Sequence, residues 1–252
     1  MKNFNFSLFL SLFFLIILLP ESVDAKRINK KVDEQGVDMP KVRIASFKGD
    51  KACAISYTFD DALRDQSILA APMLEKYGFR GTFWAIPSMV PETEEEILTN
   101  SKKKWGGITW KRLKEMSDNG HEISNHGWSH KNLVNLKSEQ EIRAEIEKAD
   151  SLILLKIGKK PRTFCYPYNA FNDQVLAIAM ENRVDTRTRC SGWGYRTTTQ
   201  WMNNWADGLI KKGEWGIPMI HAIIDGFDAF PSADVLDNHM ACLLYTSDAA
   251  DD

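Results

Sequence analysis

The sequence lacks an excess of charge of either sign, because 32 Lys and Arg stand against 34 Asp and Glu in 252 residues. A nucleic-acid-binding domain normally carries a basic excess or a basic stripe, so that class of protein is not favoured. Glycine and proline are also scarce, at 15 and 9 residues. Collagen-like, low-complexity and largely disordered chains are therefore excluded, and 44% hydrophobic residues supply material for a core.

Long apolar runs are lacking outside the N-terminus, where Leu8 to Leu19 is interrupted only by Ser11. Lys2 precedes this run and Val23-Asp24-Ala25 follows it, so residues 1–25 are predicted to be a signal peptide. A single membrane span needs about 20 apolar residues, which favours a cleaved export signal over an anchor. The sequence thus predicts a secreted, periplasmic or cell-envelope protein with no stable membrane span after cleavage.

The two flanks are separated from the predicted folded domain, which covers residues 46–241. Residues 26–45 are basic, polar and without pattern, as is typical of a linker. A predicted helix from Ser232 to Met240 runs into a segment in which helical periodicity stops. Residues 242–252 are interpreted as a non-native tail, and a genuine acidic tail is the alternative.

Cysteine is scarce, and Cys53, Cys165 and Cys190 remain once the tail is set aside. An odd number of cysteines at irregular spacing does not indicate a disulfide framework. Cys53 and Cys165 lie in apolar, strand-like segments, so they are predicted to be buried as small hydrophobic residues.

Strand-like and helix-like segments alternate through the domain, with a polar loop of about twenty residues after the second strand. The predicted strands cover residues 52–58, 82–86, 121–125, 163–166, 184–189 and 217–223, and the predicted helices cover 65–76, 109–118, 138–156, 172–182 and 199–211. This alternation indicates βα units and a parallel sheet. Five or six units favour an α/β fold of the (β/α) barrel type, with an open sheet as the alternative.

Polar clusters stand where four of these strands end. They are Asp60-Asp61, Asn125-His126 with His130 four residues later, Tyr166-Pro167-Tyr168-Asn169, and His221. Each cluster alone has a simple structural explanation as a helix cap, a surface loop or a turn. Because the carboxyl ends of parallel strands meet at one rim, the four together predict a functional site there.

These clusters belong to motifs that resemble, in order and spacing, those of the polysaccharide deacetylases, also known as the NodB-homology family or carbohydrate esterase family 4. The motifs are Thr58–Asp61, Asn125–His130, Phe164–Tyr168 and Met219–His221. The resemblance spans about residues 50–240. It implies a distorted (β/α) barrel of about seven strands, and the last strand and helix of that barrel are expected to be truncated at the C-terminus.

The resemblance also implies a division of chemical roles among the motif residues. Asp61, His126 and His130 would bind a divalent metal, for which one carboxylate and two imidazoles suit Zn²⁺, with Co²⁺ or another divalent ion as alternatives. Asp60 would be the general base, His221 the general acid, and the backbone N–H of Tyr168 the oxyanion donor. The implied activity is hydrolysis of N-acetyl or O-acetyl groups of a polysaccharide by a metal-bound water.

Two departures from the family pattern leave an alternative function open. Cys165 or Tyr166 stands where the family often carries Arg, and residues 188–193 lack both acids of an Asp-X-X-Asp-Trp-like motif. Asp185 and Asp225 are candidate substitutes for the missing groups. A catalytically silent carbohydrate-binding or wall-associated module on the same fold is therefore the second hypothesis.

Aromatic residues near the motifs are predicted to contact the substrate, because exposed rings stack on sugars. Trp128, Trp193 and Tyr166 are the residues so assigned. Trp201 and Trp205 are spaced i, i+4 on a predicted helix and are better explained as core residues. His121 is predicted to have a structural role.

Overall fold

The structure is a computed structural model that describes residues 45–99 and 107–248. The predicted signal peptide, nearly all of the predicted linker and the last four residues of the predicted tail lie outside the described residues. Within the described part, no helix combines the length and the apolar character needed to cross a membrane.

Nine short strands form the sheets of the described part of the chain. In chain order they are β1 Ala54–Ile55, β2 Thr58–Phe59, β3 Thr82–Ala85, β4 Glu122–Asn125, β5 Thr163–Cys165, β6 Asp185–Arg187, β7 Ser191–Trp193, β8 Trp215–Gly216 and β9 Pro218–Ile220. Seven of them form one parallel sheet in the order β6-β5-β4-β3-β2-β9-β7, and β1 pairs with β8 separately. The sheet is a partial barrel, which confirms the predicted α/β fold.

Seven helices connect and flank these strands. They are α1 Ala71–Lys76, α2 Glu94–Thr99, α3 Trp110–Asp118, α4 Glu139–Ile157, α5 Asp173–Met180, α6 Thr199–Lys212 and α7 Asp234–Asp248. Side-chain caps start several of them, because an N-terminal turn leaves backbone N–H groups without partners. Thr109 caps α3, Asn172 caps α5, and Ser138 with Glu141 forms the predicted capping box of α4.

Some predicted boundaries differ from the structure. The first predicted strand is divided between β1 and β2, the predicted polar loop contains α2, and β7 was not predicted. The expectation that helical structure stops at Cys242 is wrong, because α7 continues to Asp248. Leu243 packs against the core beside the buried Met240, which extends the apolar face of the helix past the predicted end.

The two faces of the sheet differ in character. Phe59 and Phe83 stack at 4.7 Å between ring centroids and pack with helix residues in the main hydrophobic core. The opposite face encloses a lumen in which the Glu122 carboxylate accepts hydrogen bonds from the hydroxyls of Thr82 and Thr163. Bulky aliphatic residues usually fill such a lumen, but here polar side chains leave a cavity of about 150 Å³.

Candidate active site and metal centre

A cavity of about 390 Å³ lies at the carboxyl ends of the strands. Its lining contains Asp60, Asp61, His126, His130, Tyr168, Asn169, Met219, His221 and Phe227. Met219 belongs to β9, and the other residues come from the segments that follow β2, β4, β5 and β9. The structure thus brings together the four polar clusters that the sequence placed at one rim.

Asp61, His126 and His130 form a compact set of metal-binding groups. One donor atom from each lies within 4.8 Å of the others. Asp61 Oδ1 is 3.4 Å from His126 Nε2 and 3.5 Å from His130 Nε2. That oxygen is buried and has no hydrogen-bond partner among the residues that the structure describes. A buried acceptor without a partner, facing two imidazole nitrogens, fits a site for a divalent cation with nitrogen and oxygen ligands.

The backbone of β5 fixes the orientation of the His126 ring. His126 Nδ1 lies 2.9 Å from the carbonyl oxygen of Cys165. A carbonyl oxygen can only accept, so Nδ1 carries the proton and donates it. The lone pair of Nε2 then faces Asp61, which is the arrangement found for histidines that bind metals through one nitrogen.

Electrostatic coupling within this set is strong. Burial raises the pKa of Asp61, but the contact with His126 and the charges of the nearby imidazoles outweigh it, so that pKa lies below its usual value. Burial lowers the pKa of His126, yet the neighbouring Cys165, Asp61 and Asp60 raise it well above the usual value. The pKa of His130 is lowered by burial and by the charge of His126.

Asp60 is held separately by a buried arginine. The guanidinium of Arg187 donates to both carboxylate oxygens of Asp60, with an Nη1–Oδ1 distance of 2.6 Å. Nη1 also donates to the Thr58 hydroxyl at 2.8 Å. Burial disfavours the charge of Arg187, but the carboxylate of Asp60 outweighs it and raises the arginine pKa. A bidentate contact of this kind fixes the orientation of the carboxylate.

Sequence reasoning missed Arg187, although a signal was present. An arginine inside a predicted strand of a parallel sheet is unusual, because such strands are buried on both faces and charged residues there require partners. Arg187 thus supplies the cation beside Asp60 that the third motif lacks. Neither candidate carboxylate, Asp185 or Asp225, is bonded to His221, whose Nδ1 has no hydrogen-bond partner among the described residues. Cys165 Sγ lies 3.8 Å from Asp60 Oδ2.

The segment that carries His130, residues 127–131, is held against α4 by Glu145. The buried carboxylate of Glu145 accepts from the backbone N–H and the hydroxyl of Ser129, both at 3.0 Å, and contacts Lys131 Nζ at 3.0 Å. The Trp128 N–H donates to the Glu145 carbonyl at 2.8 Å. These contacts fix the position of His130.

Asp65 and Gln66 hold His221 on the other side of the cavity. Gln66 Nε2 donates to the carbonyl oxygens of both Asp60 and His221 at 2.6 Å. Asp65 Oδ2 accepts three backbone N–H groups from residues 223–225. His221 Nδ1 is buried without a hydrogen-bond partner among the described residues.

Backbone strain is concentrated at this rim. Eight non-glycine residues of the described part have positive φ, and five of them lie at or beside the cavity: Asp61, Ala62, His130, Tyr168 and Asn169. Such conformations cost on the order of 1 kcal/mol or more each and persist where the surrounding structure enforces them. The clustering supports a functional role for this rim.

The predicted substrate contacts of Trp193 and Tyr166 are wrong, because both side chains are fully buried. Trp193 packs edge-to-face on Trp205, and the Tyr166 hydroxyl donates to Thr186 at 2.9 Å. Trp128 is half-buried outside the lining of the cavity, with Lys148 Nζ 3.8 Å from its ring centroid, so its role stays a prediction. Buried His121 accepts from the Gly81 N–H, consistent with a structural role.

Comparison with known proteins agrees with the motifs. The sequence model of the family described as polysaccharide deacetylase matches residues 48–186, more than half of the chain. Among curated proteins, chitin deacetylase 1 of Cryptococcus neoformans is 30% identical over 124 residues, covering 49% of this chain and 23% of that protein. The peptidoglycan-N-acetylmuramic acid deacetylase PdaC of Bacillus subtilis is 26% identical over 167 residues, covering 63% of this chain and 31% of that protein.

The fold agrees as well. A family 4 acetyl xylan esterase from Clostridium thermocellum, solved in complex with a cobalt ion, superposes with a TM-score of 0.54 at 20% identity, covering 77% of this chain and 84% of that one. The chain spans less than half the length of the two curated relatives. The matched stretch, the motifs and the partial barrel together show that the chain belongs to the polysaccharide deacetylase family.

Proposed function

We propose that this protein is a secreted, metal-dependent deacetylase that hydrolyses acetyl groups of a polysaccharide. The observation that carries the proposal is the separation of two adjacent carboxylates into two environments. Asp61 faces the imidazoles of His126 and His130, and Asp60 is bound by Arg187. Two carboxylates in different environments, within one cavity, suit two different roles in hydrolysis.

Asp61, His126 and His130 would hold the divalent cation, with Zn²⁺ as the first choice and Co²⁺ as the second. When bound, the cation supplies an acidified water and a Lewis acid for the acetyl carbonyl. Asp61 and the Nε2 atoms of both histidines face one another, and His126 Nδ1 is already committed to the Cys165 carbonyl. The chain thus orients its donor atoms in advance, which lowers the cost of binding.

Asp60 is the proposed general base. Arg187 fixes the orientation of its carboxylate through hydrogen bonds to both oxygens, and the Asp60 Oδ2–His126 Nε2 distance is 3.9 Å. A carboxylate used as a metal ligand is a weak base, so a second carboxylate beside the first supplies the proton acceptor for the attacking water. Members of the family often carry an arginine in the third motif to orient the base, and here Arg187, the β6 residue paired with Cys165, would take that role.

His221 is the proposed general acid, because an amine leaves poorly unless it is protonated. Its ring lines the same cavity as Asp60 and Asp61, and Gln66 ties the carbonyl of His221 to that of Asp60. The backbone N–H of Tyr168 is the proposed oxyanion donor, and one such donor typically contributes about 3 kcal/mol to transition-state stabilisation.

The proposed substrate is an acetylated polysaccharide of a cell wall or an extracellular polymer. The support comes from the names of the relatives, a chitin deacetylase and a peptidoglycan deacetylase, and from the apolar run at residues 8–19. The acetyl xylan esterase among the structural neighbours keeps O-acetyl groups among the candidates.

A second candidate is a catalytically silent carbohydrate-binding module on the same fold. The observation that favours it is His221 Nδ1, which lacks the carboxylate partner that the family pattern provides. The same module would still bind carbohydrate, but it would not release acetate.

The deciding experiment measures acetate release from N-acetylglucosamine oligomers, peptidoglycan and acetylated xylan, with Zn²⁺ or Co²⁺ supplied. We expect Asp60→Asn to lose at least 100-fold in kcat while keeping bound metal, and His126→Ala to lose both metal and activity. Asp207→Asn, which changes an exposed carboxylate on α6, is the matched control. No acetate from any substrate with metal bound would favour the silent module, and full activity of Asp60→Asn would refute the assignment of the base.

A further inference from the structure

An exposed aromatic ring at the edge of the cavity has no part in the proposed chemistry. The ring belongs to Phe227, which is 57% exposed, lies in the segment between β9 and α7 and lines the cavity with Asp60 and His221. Ile224 of the same segment is 53% exposed. Neither side chain belongs to a hydrophobic core cluster of the described residues. Packing in the hydrophobic core therefore does not explain the exposed apolar surface of either residue, and of the two only Phe227 lines the cavity.

The segment that carries Phe227, residues 222–230, is firmly held at both ends. Asp65 Oδ2 accepts the N–H groups of residues 223, 224 and 225 at 2.6, 2.8 and 3.1 Å. The N–H of buried Phe230 donates to the Ile223 carbonyl at 3.0 Å and closes the segment. Because the backbone of this segment is fixed by these hydrogen bonds, an exposed ring on it is already positioned before a ligand binds. This reduces the conformational entropy that is lost on binding.

Contacts with the imidazoles orient the exposed rings. The Phe227 ring stands at 88° to the His221 ring, with 5.1 Å between centroids. Tyr168, which is 66% exposed, leans on His130 with 4.7 Å between centroids. Each of the two rings is therefore exposed, packed on a histidine of the site and part of the lining of one cavity. The cavity volume of about 390 Å³ is within the range of small-ligand sites.

We propose that Phe227 is a specificity-determining residue whose exposed ring binds the flat C–H face of a pyranose next to the acetylated position. This inference rests on the proposed function and states how the polymer is held. A pyranose presents polarised C–H bonds on one face, and these match the negative face of an aromatic ring. The carboxylates and imidazoles of the cavity suit the polar groups of a sugar, and the Phe227 ring offers a flat apolar face to its C–H surface.

Binding measured without turnover provides the first test. Isothermal titration calorimetry on the zinc-loaded, full-length protein would use two probes, the β-1,4-linked tetramer of N-acetylglucosamine and acetylated xylotetraose, each in the Asp60→Asn background. We expect Phe227→Ala to weaken binding of the preferred tetramer about tenfold, which corresponds to about 1.4 kcal/mol. Phe227→Trp should stay within about twofold of the parent, and Phe227→Leu, which keeps apolar area without a flat ring, should resemble Phe227→Ala.

Tyr195→Ala is the matched control, because Tyr195 is 58% exposed in the same region but does not line the cavity. Unchanged binding of both tetramers by Phe227→Ala and Phe227→Leu would overturn the proposal. So would an equal loss in Tyr195→Ala, or no binding of either tetramer by the parent protein.

Kinetics separate this inference from the proposed function. With Asp60 restored, Phe227→Ala should raise KM for the preferred oligomer more than it lowers kcat. A fall in kcat at unchanged KM would mean that Phe227 acts only through His221, and would overturn the binding role. If the protein binds oligomers through Phe227 but releases no acetate, the proposed function fails and this inference stands. If it releases acetate and Phe227→Ala binds and acts like the parent, this inference alone fails.

Discussion

Two segments that directly follow an imidazole of the cavity, His126 or His221, are built on a shared plan. Residues 127–131 follow β4 and residues 222–230 follow β9, and a single buried carboxylate fastens each of them. Glu145 does so for the first segment and Asp65 for the second. The partners differ, because Glu145 binds a hydroxyl, a lysine and one N–H, whereas Asp65 binds three backbone N–H groups.

The imidazoles of His126 and His221 also differ in their hydrogen-bond partners. His126 has its tautomer fixed by the Cys165 carbonyl, whereas His221 Nδ1 has no partner among the described residues. The ring of His126, a proposed metal ligand, is therefore held in place, whereas for His221, the proposed acid, the backbone is positioned more firmly than the ring. From this difference we expect loss of Glu145, which holds the first segment, to weaken metal binding. We expect loss of Asp65, which holds the second segment, to slow the chemical step.

The largest effect is expected from Asp65→Ala. Three backbone N–H groups would lose their acceptor, at a cost of about 3 kcal/mol in the free energy of unfolding. We expect kcat to fall about 100-fold because His221 loses its position, while the bound metal stays near one per chain. Chemical denaturation, acetate release and metal analysis measure the three quantities. Asp65→Asn keeps an acceptor oxygen and serves as the control, and loss of metal in Asp65→Ala would contradict the distinction between the two segments.

The next effect is expected from Glu145→Ala. Ser129 and Lys131 would lose their common partner, so the position of His130 would become less defined. Removal of a group that orients a metal ligand typically weakens metal binding about 10- to 100-fold. Competition with a chelator measures the change, and excess metal should restore most of kcat. A variant whose activity does not respond to added metal would show that Glu145 acts in some other way.

A smaller effect, on stability alone, is expected from a histidine outside both segments. His239 of α7 is buried between the Tyr57 hydroxyl at 2.9 Å and Asn203 Oδ1 at 2.7 Å, near the ring of Trp193. Burial lowers the pKa of His239 to about 4, below its ordinary value of 6.5. The unfolded chain therefore binds a proton that the folded chain excludes, and stability falls as pH drops from 6.5 towards 4.

Between about pH 7 and pH 5 this linkage costs about 2 kcal/mol in the free energy of unfolding. Urea denaturation at a series of pH values measures the slope, and His239→Gln should flatten it. His239 lies outside both segments. Its contribution to acid sensitivity must therefore be subtracted before any pH dependence of activity is assigned to the site histidines. An unchanged slope in His239→Gln would show that other groups cause the acid sensitivity.

The smallest effect is expected from Lys131→Ala. Lys131 Nζ lies 3.0 Å from Glu145, but its side chain is mostly exposed, and such ion pairs contribute about 0 to 1 kcal/mol. We expect metal affinity to change less than about twofold. A larger loss would mean that the charge of Lys131, in addition to the hydrogen bonds of Ser129, positions the segment.

The sequence was sufficient for features that depend on local order along the chain. The strand ends at Asp60, His126 and His221 could be predicted because parallel strands end at a common rim. Caps such as Ser138 depend on neighbours only three residues away. Features that depend on packing across the barrel could not be predicted. Arg187 reaches Asp60 from β6, which is separated from β2 by three other strands of the sheet, and no local pattern specifies that register.

The solvent exposure of aromatic side chains could not be predicted from the sequence either. Trp193 and Phe227 are both aromatic residues near the last motif, but the first is fully buried and the second is exposed at the cavity. Their difference arises from how α6 and α7 pack over β7. Trp193 contacts side chains of both helices, whereas Phe227 lies in the connection that precedes α7.

The place of Arg187 in the sheet has a consequence for heat tolerance. It lies in β6, which has three residues, is at the edge of the sheet and pairs only with β5. Edge segments open locally at a lower free energy than the whole domain. When β6 detaches, Asp60 loses its guanidinium while the remaining strands stay paired. We therefore expect reversible loss of activity several degrees below the melting temperature, with the amides of residues 185–187 exchanging hydrogen before those of β3 and β4.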